Sequence, residues 1–325
     1  MRKLLPILLL AFLAVCCAPK ATQHDDERPV VAVSSGPEEW LLRNIAGERV
    51  KCITLLPPGA DPERFEPSVS TMRSLNDARI WFSLATPGFE STLASRLPDN
   101  FPDLEIVNVA EGIEPLDGTH RTGDPHLTSS LRNLRTIAYT MTDHLIRLLP
   151  DEEEALRENN AALQMRLRTL DDSIATCLDA PLLPTGTQYD DPDINSQETS
   201  LSERGTADNK TIISKTEKVD NAASNGKRGA FVVIHPNLTY FANDYALRQI
   251  ALERDGKEPT PAAMAEALRQ ARAAGAKVMV MDAAHPNEGA ASLARGEGLR
   301  VITLSLSDTT ILTSLRRLAD ALQAD

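Results

Sequence analysis

Apolar positions recur at helical spacing through residues 151–180, a stretch of thirty residues without glycine or proline. Asp151 and Glu154 match the start of a capping box. At about 1.5 Å per residue, a helix over this stretch would be roughly 45 Å long, enough to cross one lobe of a protein and reach the next. The apolar side chains fall three, four or seven positions apart, on one face of the predicted helix. They are Leu156, Leu163, Leu167, Leu170, Ile174 and Leu178.

Short β-branched and apolar runs alternate with helical patterns on both sides of this stretch. That alternation is typical of a parallel sheet covered by helices. We therefore interpret the long helix as a bridge between two lobes, rather than as a surface helix or half of a coiled coil. The predicted fold class is α/β, with two lobes, each with a four-stranded, mostly parallel sheet, joined by one long rigid helix. The predicted strands are 30–33, 50–56, 80–84, 106–109, 231–234, 249–252, 277–281 and 300–304.

The same patterns divide the chain into segments. We assign residues 29–150 to an N-terminal lobe, 151–180 to the bridging helix and 230–325 to a C-terminal lobe. Residues 181–229 are dominated by Asp, Glu, Ser, Thr, Asn and Lys. Such a composition does not bury enough apolar surface to order itself, so we expect a disordered insert there.

The N-terminus carries an apolar run after Arg2 and Lys3 that is too short to span a bilayer and has the layout of an export signal. The run ends at Cys16 and Cys17, in a context that resembles the bacterial lipoprotein signal. We expect a signal segment at 1–16, lipidation of Cys16 or alternatively Cys17, and a polar tether at 17–28. A plain secretory signal is the alternative. In either case the protein would work outside the cytoplasmic membrane.

The net charge argues against one class of partner, and the positions of the cysteines argue against a disulfide. The formal net charge is −12, and the Lys and Arg residues form no cluster, which argues against nucleic acid as a partner. Cys52 and Cys177 fall on a predicted strand and a distant helix. This placement gives no geometric support for a disulfide, so we expect free thiols in a monomeric protein.

Histidines concentrate where ligands bind in open parallel sheets, beyond the carboxyl ends of the strands. Four of the six lie in loops that follow predicted strands, whereas His24 and His144 lie elsewhere and are interpreted as solvated or structural. Imidazoles and carboxylates that converge from two lobes are suited to a four-coordinate metal site, above all for zinc. The four loop histidines are His120, His126, His235 and His285.

Four sequence strings carry a resemblance to a known family. LLPPGADPERFEPSVSTMRSL, DPH, VVIHPNLTYFANDYAL and EPTPAAMAEALRQARAAGAKVMVMD resemble the zinc- and manganese-binding solute-binding proteins of bacterial ABC transporters, the ZnuA/TroA-like family. The resemblance covers about residues 30–322 apart from the insert. It implies capture of a divalent metal without catalysis, Zn²⁺ before Mn²⁺ or Fe²⁺, and delivery to an ABC permease and its ATPase.

The resemblance also implies metal ligands, position by position. The second and third family histidines fall on His126 and His235, but the first falls on Glu63 and the final Asp falls on Ser305. Glu63 keeps a donor as a carboxylate, and His285 lies one loop away from Ser305 and would replace the missing one. The resulting predicted ligand set is Glu63, His126, His235 and His285.

Asp282 is the remaining candidate, either as a ligand or as an acceptor for an imidazole N–H. Two other functions stay open from the sequence. One is an adhesin-like lipoprotein of the same fold that has lost the metal. The other is a metal-dependent hydrolase with Glu63 as its base.

Overall fold

The computed structural model describes residues 26–62, 64–86, 88–97, 101–116, 123–182, 229–253 and 259–323. The signal segment and most of the tether and of the predicted insert lie outside these ranges. So do several residues singled out from the sequence, namely Cys16, Cys17, His24, Glu63 and His120.

The first lobe is a parallel sheet with the strand order β2-β1-β3-β4, and helices flank its strands. Its strands are β1 (Val30–Val33), β2 (Lys51–Thr54), β3 (Ala78–Ser83) and β4 (Glu105–Asn108). Its helices are α1 (Gly36–Ala46), α2 (Val69–Ser74), α3 (Phe89–Ala94) and α4 (Leu131–Leu148).

The second lobe repeats this topology with the order β6-β5-β7-β8, again all parallel. The eight predicted strands are therefore confirmed, with bounds that differ by at most two residues. Its strands are β5 (Ala230–Val233), β6 (Arg248–Ala251), β7 (Val278–Asp282) and β8 (Arg300–Leu304). Its helices are α6 (Thr239–Asp244), α7 (Pro261–Ala273), α8 (Glu288–Gly296) and α9 (Ile311–Gln323).

The strand order fixes where each sheet can bind a ligand. From β1 the chain first adds β2 on one side and then β3 on the other, so the loops after β1 and β3 diverge and leave a crevice between them. The loops after β5 and β7 do the same in the second lobe. Such switch points are the usual ligand sites of open α/β sheets.

The bridging helix is shorter than the sequence predicted. Helix α5 (Glu153–Cys177) follows a 3₁₀ turn at Pro150–Glu152, instead of beginning as an α-helix at residue 151. It ends early because Asp179 adopts the left-handed conformation with φ of 51°. The amide of Ala180 then donates to the carbonyl of Ala175, at 2.8 Å, which closes the helix with a Schellman-type bond.

One apolar core crosses from the first lobe into the second. The predicted stripe of α5 faces it, with Leu156, Leu163, Leu167 and Ile174 buried and Leu170 and Leu178 half-buried. The same cluster contains residues of both sheets and of helices α4 and α9, including Val33, Phe231, Leu134 and Leu315. Wide hinge opening would split this cluster, so we expect only small relative movements of the lobes.

A buried polar network joins α4 and α5 to the second lobe. Tyr245 donates its hydroxyl hydrogen to Asp171 at 2.6 Å, and Arg132 donates to the same carboxylate at 3.3 Å. Arg132 also lies 3.6 Å from Asp244, which accepts a 2.6 Å hydrogen bond from Ser130. Burial raises the pKa of Asp244 to about 6, against the opposing charge of Arg132.

The lobes also touch backbone to backbone. The amide of Gly36, at the start of α1, donates to the carbonyl of Ser307 in the second lobe at 3.1 Å. A Cβ atom at position 36 would collide with the backbone of Asp308, so this approach requires glycine.

Two further sequence expectations concern cysteines and the membrane. Cys52 and Cys177 are free and half-buried, which confirms the expected thiols. Within the described ranges, no helix is both long enough and apolar enough to traverse a lipid bilayer.

Asp244→Asn should remove part of the pH dependence of stability. The folded-state pKa of Asp244, about 6, lies above the ordinary value of 3.8. Its contribution to stability is therefore present below about pH 4 and is lost as the pH rises through 6. Asparagine keeps an acceptor for Ser130 and does not ionise. Between pH 4 and 7 the free energy of unfolding of the parent should fall by on the order of 2 to 3 kcal/mol relative to that of the variant.

Urea unfolding of both proteins at several pH values measures this difference. Asp143→Asn, at an exposed position on α4, is the matched control and should follow the parent. Parallel pH profiles for the parent and Asp244→Asn would contradict the prediction.

Candidate functional site

The switch points of the two sheets face each other across one cleft, which encloses a cavity of about 90 Å³. The loops after β1 and β3 and the segment before α4 form one wall, and the loops after β5, β7 and β8 form the opposite wall. Side chains that can bind a cation or a polar ligand line both walls. They include Ser35, Glu38, Thr86, Glu90 and His126 from the first lobe, and His235, Asn237, Asp282 and His285 from the second.

Three of the four predicted metal ligands come together in this cleft. The rings of His126 and His235 are 5.1 Å apart between centroids and nearly perpendicular, so the two lobes each contribute one imidazole to the same place. His285 stacks on His235 at 6.2 Å with an interplanar angle of 21°. The fourth predicted ligand, Glu63, lies outside the described residues.

Each of these imidazoles is hydrogen-bonded to its own carboxylate. His126 Nδ1 lies 2.8 Å from Asp124 Oδ1, and His235 Nδ1 lies 2.9 Å from Glu253 Oε2. The third pair is His285 Nε2 with Asp61 Oδ2, at 2.8 Å. An ionised carboxylate only accepts, so the bonded nitrogen carries the proton, and in a neutral imidazole the other nitrogen has the lone pair that a metal would bind.

The Asp124-Pro125-His126 sequence folds so that it orients its own histidine. The backbone amide and the Nδ1 atom of His126 both donate to Asp124 Oδ1, at 2.8 Å each. Burial opposes ionisation of Asp124, but the hydrogen bond and the charge of His126 outweigh it and hold the pKa of Asp124 below its ordinary value. Tyr240, from the second lobe, donates to the Asp124 carbonyl at 3.0 Å and fixes this loop across the cleft.

His285 lies where the sequence analysis needed a donor in place of Ser305. Strands β7 and β8 are neighbours, with Asp282 opposite Leu304, so the loops that follow them emerge side by side. Beyond β8, Leu306 and Ser307 line the cavity. The Nδ1 atom of His285 is buried and has no hydrogen-bond partner among the described residues, while its Nε2 atom pairs with Asp61 of the other lobe.

Among the described residues, Asp282 accepts no hydrogen bond from an imidazole, which was the role considered from the sequence. Its Oδ2 atom accepts from the Asn237 side chain at 2.8 Å, and its Oδ1 atom accepts from the Ala284 amide at 3.0 Å. Burial raises its pKa above the ordinary value, against that amide hydrogen bond. Sequence reasoning missed Glu253, which accepts a hydrogen bond from His235. Glu253 follows the carboxyl end of strand β6, which is where ligands bind in open parallel sheets.

Glu90 is a buried carboxylate that accepts three hydrogen bonds. It is 1% exposed and accepts from the amide of Leu84 at 3.0 Å, the amide of Thr86 at 2.7 Å and the hydroxyl of Thr86 at 2.6 Å. Ala85, between these two residues, has φ of 55°. This left-handed residue turns the two flanking amides toward one carboxylate.

Glu38 is a buried carboxylate of the opposite kind. It is fully buried, and its Oε2 atom accepts from Ser35 Oγ at 2.5 Å. Its Oε1 atom has no hydrogen-bond partner among the described residues. Burial and the nearby charge of Glu90 raise the pKa of Glu38 to about 8. Sequence reasoning missed both glutamates, because only the strand order shows that the loops after β1 and β3 flank the switch point.

The candidate metal-binding side chains of the described residues do not surround a common metal position. In the described part of the chain, no three His, Cys, Asp or Glu side chains are placed so that they could hold one metal ion together. His144 lies away from the cleft, where its Nδ1 atom pairs with Glu105 at 2.8 Å. The donor types in the cleft fit a transition metal, but the side chains would have to move to meet around one ion.

Sequence comparison relates this chain to metal-uptake proteins. The sequence profile of the family described as zinc-uptake complex component A, periplasmic (ZnuA), matches residues 31–182 and 197–324. The gap between the two matched ranges falls inside the predicted insert.

Individual curated relatives match part of the chain. It is 29% identical to the manganese-binding lipoprotein MntA of Halalkalibacterium halodurans over 171 residues, which cover 52% of this chain and 56% of that protein. It is 28% identical to the manganese ABC transporter substrate-binding lipoprotein scaA of Streptococcus gordonii over 183 residues, which cover 52% and 58%. The matches thus span little more than half the length of these relatives.

Solved structures share the fold over nearly the whole length. A crystal structure of ZnuA superposes with a TM-score of 0.71 at 21% identity, covering 92% of this chain and 99% of that one. The periplasmic zinc-binding protein TroA from Treponema pallidum gives 0.68 at 17% identity, covering 91% and 98%. At these identities the likeness shows that the two-lobed fold is shared.

Glu90→Gln should destabilise the protein by about 1 to 3 kcal/mol. Glutamine offers one carbonyl oxygen to three donors, and its NH₂ group would face at least one of them. Denaturant unfolding measures the loss, with Glu111→Gln, at an exposed position of the same lobe, as the control. Unchanged or increased stability of Glu90→Gln would show that these three hydrogen bonds do not hold the wall of the cleft.

Proposed function

This chain belongs to the ZnuA family of periplasmic zinc-uptake components, and we propose that it is an extracytoplasmic solute-binding protein that captures a divalent transition metal between its lobes. It would release the metal to an ABC permease that is driven by its ATPase. The observation that carries the proposal is the pair of imidazoles, His126 and His235, which meet in the cleft from opposite lobes at 5.1 Å. The metal is the cargo, and no chemical step is needed.

The carboxylate partners support this function. A metal-binding histidine commonly donates its other ring N–H to a carboxylate, which fixes the ring and makes it a better ligand. His126 with Asp124 and His235 with Glu253 already have this arrangement. Metal binding by His285 would use its Nδ1 atom, or its Nε2 atom after exchange of the contact with Asp61.

The proposed ligand set is Glu63, His126, His235 and His285. Asp282 is a further candidate, as an additional oxygen donor. Three imidazoles and one carboxylate favour Zn²⁺, because nitrogen donors suit it better than they suit Mn²⁺. Mn²⁺ and Fe²⁺ are the alternative cargoes. The members of this family are solute-binding proteins, so the hydrolase alternative is not retained.

A partner-binding lipoprotein without metal is the second candidate. It is favoured by the finding that, among the described residues, no three donors surround one point. Metal titration separates the two functions, because only the first requires tight metal binding.

We also propose that the protein is held at the membrane by a lipid on Cys16 or Cys17. Two curated relatives of this chain are named lipoproteins. An anchor of this kind would keep the receptor close to its permease.

His285→Ala should lose much of the zinc-induced rise in melting temperature, and His235→Ala nearly all of it. The reason is that a metal which binds only the folded state stabilises it by RT ln(1 + [metal]/Kd), so a variant with weaker binding shows a smaller rise. Melting of chelator-treated protein with and without Zn²⁺, together with equilibrium titration, gives the answer. His144→Ala is the control, because this histidine pairs with Glu105 outside the cleft. If His285→Ala behaves like the parent while His126→Ala does not, His285 is not a ligand.

Replacing Cys16 and Cys17 together by Ser should move the protein from the membrane fraction to the soluble fraction. Removing the acyl chains removes the apolar contact with the bilayer. Cell fractionation and immunoblotting measure the distribution, with Cys52→Ser as the control. Retention of the double variant in the membrane fraction would rule out the lipid anchor.

A further inference from the structure

We infer that Glu38 contributes a carboxylate oxygen from the first lobe to the divalent cation bound in the cleft. This inference rests on the proposed function and adds to it a donor that the family resemblance does not place. Its basis is the position of Glu38 in the fold, the state of its two oxygens and the contrast with Glu90.

Glu38 stands at the switch point of the first sheet. It lies in the first turn of α1, directly after the loop that leaves β1. The corresponding strand of the second lobe is β5, and His235 follows it. The two sheets have the same strand order, so Glu38 and His235 each follow the first strand of their sheet, and both line the same cavity.

One of the two carboxylate oxygens of Glu38 is buried without a hydrogen-bond partner among the described residues. This atom is Oε1, and the residue is 0% exposed. A buried polar atom without a partner costs free energy, and native structures contain few of them. A cation in the cavity would supply the missing partner, since Glu38 lines that cavity together with His126, His235 and His285.

Glu90 shows that burial alone does not leave a carboxylate in this state. It is as deeply buried as Glu38 and lines the same cavity, yet it accepts three hydrogen bonds from Leu84 and Thr86. The first lobe therefore holds one satisfied carboxylate and one unsatisfied carboxylate side by side. A divalent cation bound by Glu38 would also be attracted by the charge of Glu90.

Glu38→Gln tests this inference, with Glu39→Gln as the matched control on the same helix. Glu39 pairs with Arg43 and accepts from Thr54, away from the residues that line the cavity. For each full-length protein we would measure the Kd for Zn²⁺ by competition with a chromophoric chelator. The visible absorption of the Co²⁺ complex would be recorded as well, because it changes when a ligand changes.

Glu38→Gln is expected to raise the Kd for Zn²⁺ by at least about tenfold. Even the loss of a residue that contacts only a metal-ligating side chain commonly weakens metal binding by this factor. Its Co²⁺ spectrum should differ from that of the parent, whereas Glu39→Gln should match the parent in both measurements. The melting temperature of metal-free Glu38→Gln should stay level or rise, because the variant no longer buries an ionisable group beside Glu90. A merely structural Glu38 would give the opposite pattern, lower stability with an unchanged Co²⁺ spectrum.

A parental Kd and a parental Co²⁺ spectrum for Glu38→Gln would overturn the inference while leaving the proposed function intact. Failure of the parent itself to bind Zn²⁺ or Co²⁺ would overturn both. If Glu38→Gln does not fold, Glu38→Asp replaces it. This variant keeps the charge but withdraws the oxygens by one methylene group, and the same two measurements decide.

Discussion

One uninterrupted apolar core runs from the first sheet, along α5, to the second sheet, and the shape of the cleft depends on it. Because Leu167 on α5 belongs to the same cluster as Val33 and Phe231, the orientation of the lobes is fixed by side-chain packing rather than by a flexible link. The switch points therefore face each other without a large closing movement. Capture of a cation in this cleft would be an event of side-chain rotation and loop adjustment.

The cleft combines groups that attract a cation with groups that hold its imidazoles in place. His126, His235 and His285 each have a carboxylate partner, so each ring has a defined protonated nitrogen. The partners differ in where they come from. Asp124 and Glu253 belong to the same lobe as their histidines, whereas Asp61 reaches His285 from the opposite lobe. A metal that engages His285 through Nε2 would consequently alter a contact between the lobes.

Hydrophobic periodicity predicted the strands, the bridging helix and the two-lobed α/β fold, and the ends of predicted strands located His126, His235 and His285. Periodicity does not reveal the order of strands in a sheet, so the loops after β1 and β3 were not recognised as a switch point and Glu38 and Glu90 were missed. The oxygens of Asp282 accept from Asn237, in the loop after β5, and from the neighbouring Ala284 amide, and no apolar pattern along the chain records such contacts. The early end of α5 follows from the single left-handed residue Asp179, which no apolar pattern records.

The backbone contact at Gly36 sets a lower limit on the width of the cleft. Its amide is already within hydrogen-bond distance of the Ser307 carbonyl, and there is no room for even a methyl group against Asp308. The two main chains are thus unable to approach each other more closely at this point. Discrimination between ions by radius would therefore come from the torsion angles of the cleft side chains, and not from a closer approach of the main chains at this contact.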